Sequence, residues 1–560
     1  MYQRHFNVRK TSQKESIPGR TDMAINEAGG YVWAVDDWKR LDRFLILGAE
    51  GGTYYVKEHK LTRENAEAVL RCINADGERV VKRVVEISES GRAPKNDPAL
   101  FVLAMCAGLG DAKTRSTALH SLNRVARTGT YLFTFATYVQ AFRGWGRGLR
   151  DAVGSWYTEK SAENLAYQLV KYRQRGSWTH RDLLRLSHPG TDSVAHKVLF
   201  DWICHGKDSL MRVEDIGEQW QKFVVGYELA SITEDTKEIV RLISDCKLPW
   251  EALDTKWLRS PKVWEALLPN TPLWALMRNL GRLSDIGLLA PLSETSKYVV
   301  QRFSDVEALR RSRLHPFTIL LGMRTYAVGH GVRGSLKWQP VSQVVDALDA
   351  AFYGSFQNVK PTGKRFVLAV DVSGSMTSSM GDSPLTVREA AAAMAMVTAR
   401  TEPNYTVIAF SDTMVPIEVS PRERLDDVVR KFGGLVFGGT DCALPMLWAL
   451  GLDVHCTRYT SYWGRRQQPK IQQKRGIIPA DCFIVYTDNE TWAGDIHPMQ
   501  ALQQYRRETG IPAKLITVGM TSEGFTIADP NDIGMLDVVG FDSVCPQVIQ
   551  QFIEEPTKET

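Results

Sequence analysis

The sequence predicts two architectures in one chain, an α-solenoid over residues 29–360 and an open, doubly wound parallel α/β sheet over 361–560. Three observations carry this reading. From about residue 30 to 355, apolar residues recur at intervals of three and four, with short connections and no strand pattern between them. At Lys360-Pro361-Thr362-Gly363 the texture changes to near-continuous apolar runs that alternate with helical segments, the mark of parallel strands covered on both faces. The charge balance changes at the same place: residues 361–560 hold 18 Lys/Arg against 24 Asp/Glu, −6, and residues 1–360 hold 51 against 40, +11.

Residues 1–28 are basic and polar and read as a flexible arm. Beyond them NAEAVLRCI, DPALFVLAMCAGLG, STALHSLNRVARTG, TYLFTFATYVQAF, GRGLRDAVGSWYTEK, SAENLAYQLVKYRQR and SPKVWEALLPN each carry the helical period. Asp97-Pro98 and Ser260-Pro261 are helix starts, and Gly129 after a basic turn reads as a helix end. Successive helix pairs without strands predict irregular HEAT-like pairs, although no strict repeat length is present. In the second half RFVLAVD, YTVIAFSD, DCFIVYTD and AKLITVGM are strands, with helices predicted at REAAAAMAMVTAR, RLDDVVRKF, DCALPMLWAL, HPMQALQQYRRETG and CPQVIQQFIEE. The basic, aromatic stretch at about 453–480 is too long for a tight connection and reads as a surface insertion.

Composition narrows the function. With 44% hydrophobic and 24% charged residues the chain is ordinary globular protein. No apolar run reaches the roughly 20 residues that span a bilayer, and the first residues lack the apolar core of an export signal. The eight cysteines form no CxxC pair, which predicts reduced thiols and a cytoplasmic location. No Walker A, GxSxG or HExxH motif is present. Gly329-His330-Gly331-Val332-Arg333-Gly334 matches GxGxxG but follows a helix, so it reads as a helix end and turn.

One loop carries metal chemistry. RFVLAV runs into Asp371-Val372-Ser373-Gly374-Ser375, which places Asp371, Ser373 and Ser375 at the carboxyl end of a central strand, where open α/β sheets bind ligands. Gly438-Gly439-Thr440-Asp441 adds a hydroxyl, and Tyr486-Thr487-Asp488-Asn489-Glu490 a second carboxylate. This hard-oxygen set suits Mg²⁺. Two carboxylates diluted by hydroxyls favour ligand capture over two-metal hydrolysis. The plainer reading is a cation that only staples loops. The three loops together resemble the metal-ion-dependent adhesion site of von Willebrand factor A domains. That resemblance implies Asp371, Ser373, Ser375, Thr440 and Asp488 as ligand positions, some direct and some through water.

A second cluster is basic. Residues 121–200 hold 12 Lys/Arg against 5 Asp/Glu, +7, and such concentration attracts polyanions. Arg147 and Arg150 precede Lys171, Arg173, Arg175, His180, Arg185 and His188, with Trp178 among them. Cationic groups can hold phosphates, and Trp, His and Arg planes can stack on unpaired bases. Taken singly, each residue reads better as part of a solvated helix face, with Trp156 and Trp178 in the core.

Longer motifs in order, among them RFLILGAEGGTYYVKEHKL (43–61), KYRQRGSWTHRDLLRLSH (171–188), GHGVRGSLKW (329–338), PTGKRFVLAVDVSGSM (361–376), GGTDCALPM (438–446), TDNETWAG (487–494) and PAKLITVGMTSEGFTIADP (512–530), are similar to the Ro ribonucleoprotein autoantigen family, whose RNA-binding module is called TROVE. The resemblance covers almost the whole chain. It implies a monomeric ring of HEAT-like repeats joined to a von Willebrand A-type domain. It further implies small structured Y RNA on the ring's outer surface and single-stranded 3′ ends of misfolded non-coding RNA in its hole. Lys171 and His188 match positions tied to Y RNA; Arg173, Arg175, His180 and Arg185 extend that set, with Arg147 and Arg150 upstream. Residues about 205–260 and the 453–480 insertion depart from the family's pattern, and the divergence points to a bacterial or phage-borne member. A bacterial member is expected to tether RNA to an exoribonuclease without being an enzyme itself. Two other readings stay open: a metal-dependent protein-interaction module that binds RNA incidentally, and a metal-dependent nuclease.

Overall fold

A computed structural model of the chain describes residues 10–47, 67–93, 95–212, 218–312, 314–331, 335–356, 360–378, 385–433, 435, 438–452, 476–520, 525–539 and 545–554. Residues 1–9 of the basic arm and 453–475 of the insertion lie outside the described residues. The chain divides into two compact units, one of residues 1–68, 315–317 and 352–560, the other of residues 69–314 and 318–351. The described strands are β1 (Met23–Ile25), β2 (Tyr31–Ala34), the short β3 (Gln174–Arg175) and β4 (Trp178–Thr179), β5 (Arg365–Asp371), β6 (Asn404–Phe410), β7 (Met414–Pro416), β8 (Cys482–Thr487), β9 (Lys514–Gly519), β10 (Phe525–Thr526) and β11 (Met535–Val539).

The second unit is helical, as the period predicts. Asp97–Leu109 is buried continuously from Pro98 to Ala107, the pattern of a helix enclosed on all sides. Its Phe101 meets Tyr138 and Phe142 of the helix Gly129–Phe142, with ring centroids 5.2 and 5.6 Å away. Further along, Ala162–Lys171 packs on Gln219–Ile232, and that helix on Thr236–Cys246. Side-chain caps set several starts: Thr128, Ser161 and Ser193 each accept from a backbone N–H in the first turn, and Thr179 and Asp182 form a reciprocal capping box. Gly129 therefore opens a helix, with Thr128 as its cap, where the sequence reading had it end one. Gly329, at φ +81°, follows the helix Pro316–Val328 and accepts from Trp338 N–H, so the glycine-rich stretch begins as a turn.

In the first unit the main sheet runs β11-β9-β8-β5-β6-β7. Every pair is parallel except β6 with the edge strand β7, so the predicted parallel sheet carries one antiparallel margin. β5 is buried from Phe366 to Asp371, and β8 over its full length. The chain leaves β5 for β6 on one side and reaches β8 on the other. The crevice at the carboxyl ends of β5 and β8 is thus the point where strand order reverses.

Residues 10–28, expected as part of a flexible arm, are instead held in place, with β2 directly after them. β1 pairs with β2, and β2 pairs with β10 through Phe525↔Ala34 and Thr526↔Trp33. Val32 and Trp33 enter the same apolar cluster as Phe483, Leu447 and Tyr505. Arg20 reaches Asp22 and Asp529, both at 2.7 Å, and stacks on Trp33. Alternating polar residues with few aliphatic ones hide this segment from a reading based on periodicity.

Candidate functional site

The loop after β5 begins in the core. Asp371 is 0% exposed, and its carboxylate accepts from Ser373 N–H at 2.8 Å and from the Thr487 hydroxyl at 2.7 Å. Ser373 is buried, with its hydroxyl 3.2 Å from that of Ser375. Asp488 follows β8, is 3% exposed and accepts from Glu490 N–H at 3.1 Å. Thr440 is buried, and its carbonyl accepts from the N–H groups of Trp492 and Ala493, both at 2.9 Å. The three loops that the sequence singles out therefore meet. Ser373, Ser375, Thr440 and Asp488 line one cavity of about 520 Å³, together with Glu27, Ala28 and Trp492.

The electrostatics of this cavity fit a cation. Burial, and then the charge of Asp488, push Asp371 up to about 7. Burial likewise raises Asp488, against a hydrogen bond from Ser375. Two carboxylates forced together without solvent repel each other, and a divalent ion among them reverses that cost. Among the described residues no group of three or more His, Cys, Asp or Glu side chains forms a metal cluster. The oxygen set here is two carboxylates and three hydroxyls. Such a set suits Mg²⁺ with water or a ligand oxygen completing its shell.

The basic segment is less uniform. Arg147 and Arg150 are exposed in the first turn of the helix Arg147–Thr158. Positive charge at that end opposes the helix dipole, so neither arginine is there to stabilise its own helix. Arg185 is exposed, and His188 is exposed at the end of the helix His180–Ser187 with φ +44°, a conformation that non-glycine residues seldom hold. Arg173 lies over the Tyr227 ring at 5.5 Å and donates to its hydroxyl at 2.6 Å. Arg175 sits 3.7 Å from Asp97. Lys171 has only 11% of its side chain exposed, donates to the Tyr167 hydroxyl at 2.8 Å and lies 3.6 Å from Glu251. Trp178 is buried, as the plainer reading expected, and so is Trp156.

His180 corrects the sequence reading. It is 2% exposed, with Nδ1 2.9 Å from the Tyr157 hydroxyl and its ring 4.7 Å from that of Phe133. It cannot stack on a base from there. The signal was available: His180 shares its helix face with Leu183 and Leu184 at the three–four spacing. Burial pushes the imidazole down to about 3, from an ordinary 6.5. Between those values the unfolded chain takes up a proton that the folded chain refuses. This residue's contribution to stability therefore falls as pH drops through 6.5 and levels off near 3. Urea titrations between pH 6.5 and 4.5 are expected to show a slope reduced in His180→Gln by up to about 1.4 kcal/mol per pH unit. An identical slope in both proteins contradicts the assignment.

One exposed pair had escaped notice in the sequence. Trp274 is 45% exposed, and the Arg278 guanidinium lies 4.6 Å from its ring, one turn along the helix Leu273–Asp285.

Comparison with known proteins covers both units. The family model described as the TROVE domain matches residues 24–235 and 243–323, and that of the Ro60 vWA domain matches 365–457 and 471–553. The chain is 39% identical over 553 residues to the RNA-binding protein RO60 of Deinococcus radiodurans, covering 98% of each sequence. It is 35% identical over 601 residues to the RNA-binding protein RO60 of Caenorhabditis elegans, covering 94% of this chain and 89% of that one. The crystal structure of the Deinococcus radiodurans RO (RSR) protein matches with a TM-score of 0.68 and 38% identity over 92% of this chain and 99% of that chain. With the solenoid-type helices, the parallel sheet and both family models in register along its length, the chain belongs to the Ro60 family of TROVE and von Willebrand A-type proteins.

Proposed function

We propose that this protein binds structured non-coding RNA, holding Y-like RNA and the single-stranded 3′ ends of misfolded RNA, and acts as a scaffold and not as an enzyme. The observation that carries the reading is the exposed positive charge of Arg147, Arg150, Arg185 and Arg173 within a segment of balance +7, in a chain whose relatives are named RNA-binding proteins. Arginine forks meet phosphates in pairs of hydrogen bonds, and those of Arg147 and Arg150 serve no helix of their own. Lys171 is a poorer phosphate ligand than its matched position implies, because Tyr167 and Glu251 already engage it. His188 and Arg185 supply the outward-facing donors instead. Trp274 with Arg278 offers a stacking surface for an unpaired base.

In this reading the α/β unit binds Mg²⁺ through Asp371, Ser373, Ser375, Thr440 and Asp488. A carboxylate of a protein partner, in a bacterium an exoribonuclease, completes the shell and brings that partner to the RNA in the cytoplasm. No helix among the described residues is long and apolar enough to cross a membrane. The described cysteines are not in disulfides and are mostly buried, which suits a reducing compartment.

A salt titration of binding to two RNAs tests the proposal, one a stem with a single-stranded 3′ tail and the other the same stem blunt. Tighter binding of the tailed RNA is expected, with log K falling by about 0.7 per neutralised phosphate for each unit of log salt. Equal, weak and salt-insensitive binding overturns it in favour of a metal-dependent protein-interaction module. Cleavage of either RNA on adding Mg²⁺, lost in Asp371→Ala, points to a nuclease.

A further inference from the structure

The cavity over the Asp371 loop is walled partly by residues from the other end of the chain, Glu27 and Ala28. The segment that brings them there is bonded to two of the ligand loops, those of Thr440 and Asp488. Gln13 is 0% exposed. Its amide nitrogen donates to Asp441 Oδ1 at 2.7 Å and to the Ile496 carbonyl at 2.9 Å. Its amide oxygen accepts from the Thr491 hydroxyl at 2.6 Å and from Gly494 N–H at 3.2 Å. Asp441 adjoins Thr440, and Thr491 is three residues beyond Asp488. One side chain thus clips the loop that offers a hydroxyl to the loop that offers a carboxylate.

Asn26 adds a second buried amide, directed at the Asp488 loop alone. Its amide nitrogen donates to the carbonyls of Asn489 at 3.2 Å and Thr491 at 2.9 Å. Asn489 follows Asp488 directly and has φ +67°, a strained setting that such bonds hold in place. Ala28 N–H donates to Glu490 at 2.8 Å. The fit leaves no slack. A Cβ on Gly30 would stand 1.8 Å from the Thr491 carbonyl oxygen, and one on Gly494 would stand 2.3 Å from the Gln13 amide nitrogen. Both glycines therefore mark places where the two segments touch backbone to backbone or through a buried amide.

We propose that residues 10–34 form a strap belonging to the metal site, in which Gln13 is a positioning residue that fixes the Thr440 and Asp488 loops at the spacing a divalent cation needs. The proposal rests on the reading of the Asp371 loop as a metal centre. A strap serving stability alone would not require a saturated amide between two ligand loops, since it is anchored elsewhere by the Arg20 pair to Asp529 and by the pairing of β2 with β10. Those anchors also predict that removing the Gln13 amide leaves the strap seated.

The test is Mg²⁺ affinity of the full chain by calorimetry, checked with Mn²⁺ by electron paramagnetic resonance, in wild type, Gln13→Met, Arg20→Ala and Asp371→Ala. Partners that orient metal ligands typically contribute about 10–100-fold to affinity. Gln13→Met keeps the packing volume but leaves the buried partners of the amide unpaired, so it is expected to melt lower and, while still folded, to bind Mg²⁺ about tenfold or more weakly. Arg20→Ala is expected to melt lower and bind Mg²⁺ as wild type does. Wild-type affinity in Gln13→Met, with binding lost in Asp371→Ala, overturns the strap's role and leaves the metal site standing. Absence of Mg²⁺ and Mn²⁺ binding in wild type overturns both. If Gln13→Met does not fold, Gln13→Glu replaces it, because it keeps the acceptor for Thr491 and Gly494 and loses the donor to Asp441. A folded Gln13→Glu with wild-type affinity at pH 8 likewise overturns the role.

Discussion

Asp371→Ala is expected to weaken Mg²⁺ binding by more than about 100-fold, beyond the usual effect of changing a partner outside the metal's own shell. The fold survives this change because two terms oppose each other. The Thr487 hydroxyl and Ser373 N–H lose their acceptor, at about 1–3 kcal/mol for groups left unpaired in the core. Against that, the repulsion by which the charge of Asp488 raises Asp371 is removed. Thermal melts separate ligand from scaffold: Mg²⁺ at about 100 times its wild-type dissociation constant stabilises wild type by about 2.7 kcal/mol and Asp371→Ala by less than about 0.4 kcal/mol. RNA affinity of the variant is expected to stay within about twofold of wild type, since residues 361–560, of balance −6, offer no phosphate surface. A large loss of RNA binding in a folded Asp371→Ala means that metal and RNA share one site.

Replacing Arg147, Arg150 and Arg185 together by alanine is expected to lower affinity for structured RNA by about 100-fold or more near 0.1 M salt, and to flatten the salt dependence by about 2 to 3 units of slope on duplex RNA. All three are exposed, so the fold is expected to hold, and circular dichroism checks it. His188→Ala added to the triple variant tests the strained turn at that residue. Lys171 calls for Lys171→Met, because Lys171→Glu would set a second carboxylate beside Glu251 in a nearly closed pocket and confuse unfolding with lost binding. Unchanged slope and affinity in the triple variant place the RNA elsewhere on the protein.

Much of the α/β unit was legible because its signals are local. RFVLAVD is a buried run with its carboxylate at the end, and DCFIVYTD repeats the device one strand away. Strand periodicity and loop chemistry in a dozen residues were enough to bring Asp371 and Asp488 together. β11 and β10 were missed because five and two residues carry little pattern of their own. The strap was missed for a different reason: Gln13 and Asp441 are 428 residues apart, and nothing in Thr-Ser-Gln-Lys-Glu-Ser announces a buried amide. His180 shows the converse, a residue whose chemistry suggested an exposed role while its spacing with Leu183 and Leu184 placed it in the core.

The pairing of β2 with β10 sets a timetable for biosynthesis. Trp33 meets its partner Thr526 only after nearly 500 further residues have been made, about 25–100 s at typical rates of synthesis. Through that interval the helical unit, encoded between the two, can complete its own local contacts, while Val32 and Trp33 wait without the cluster that later covers them. A segment made before the helical unit thus reaches its place after it. A chain halted before residue 525 leaves that apolar strand without its β10 partner.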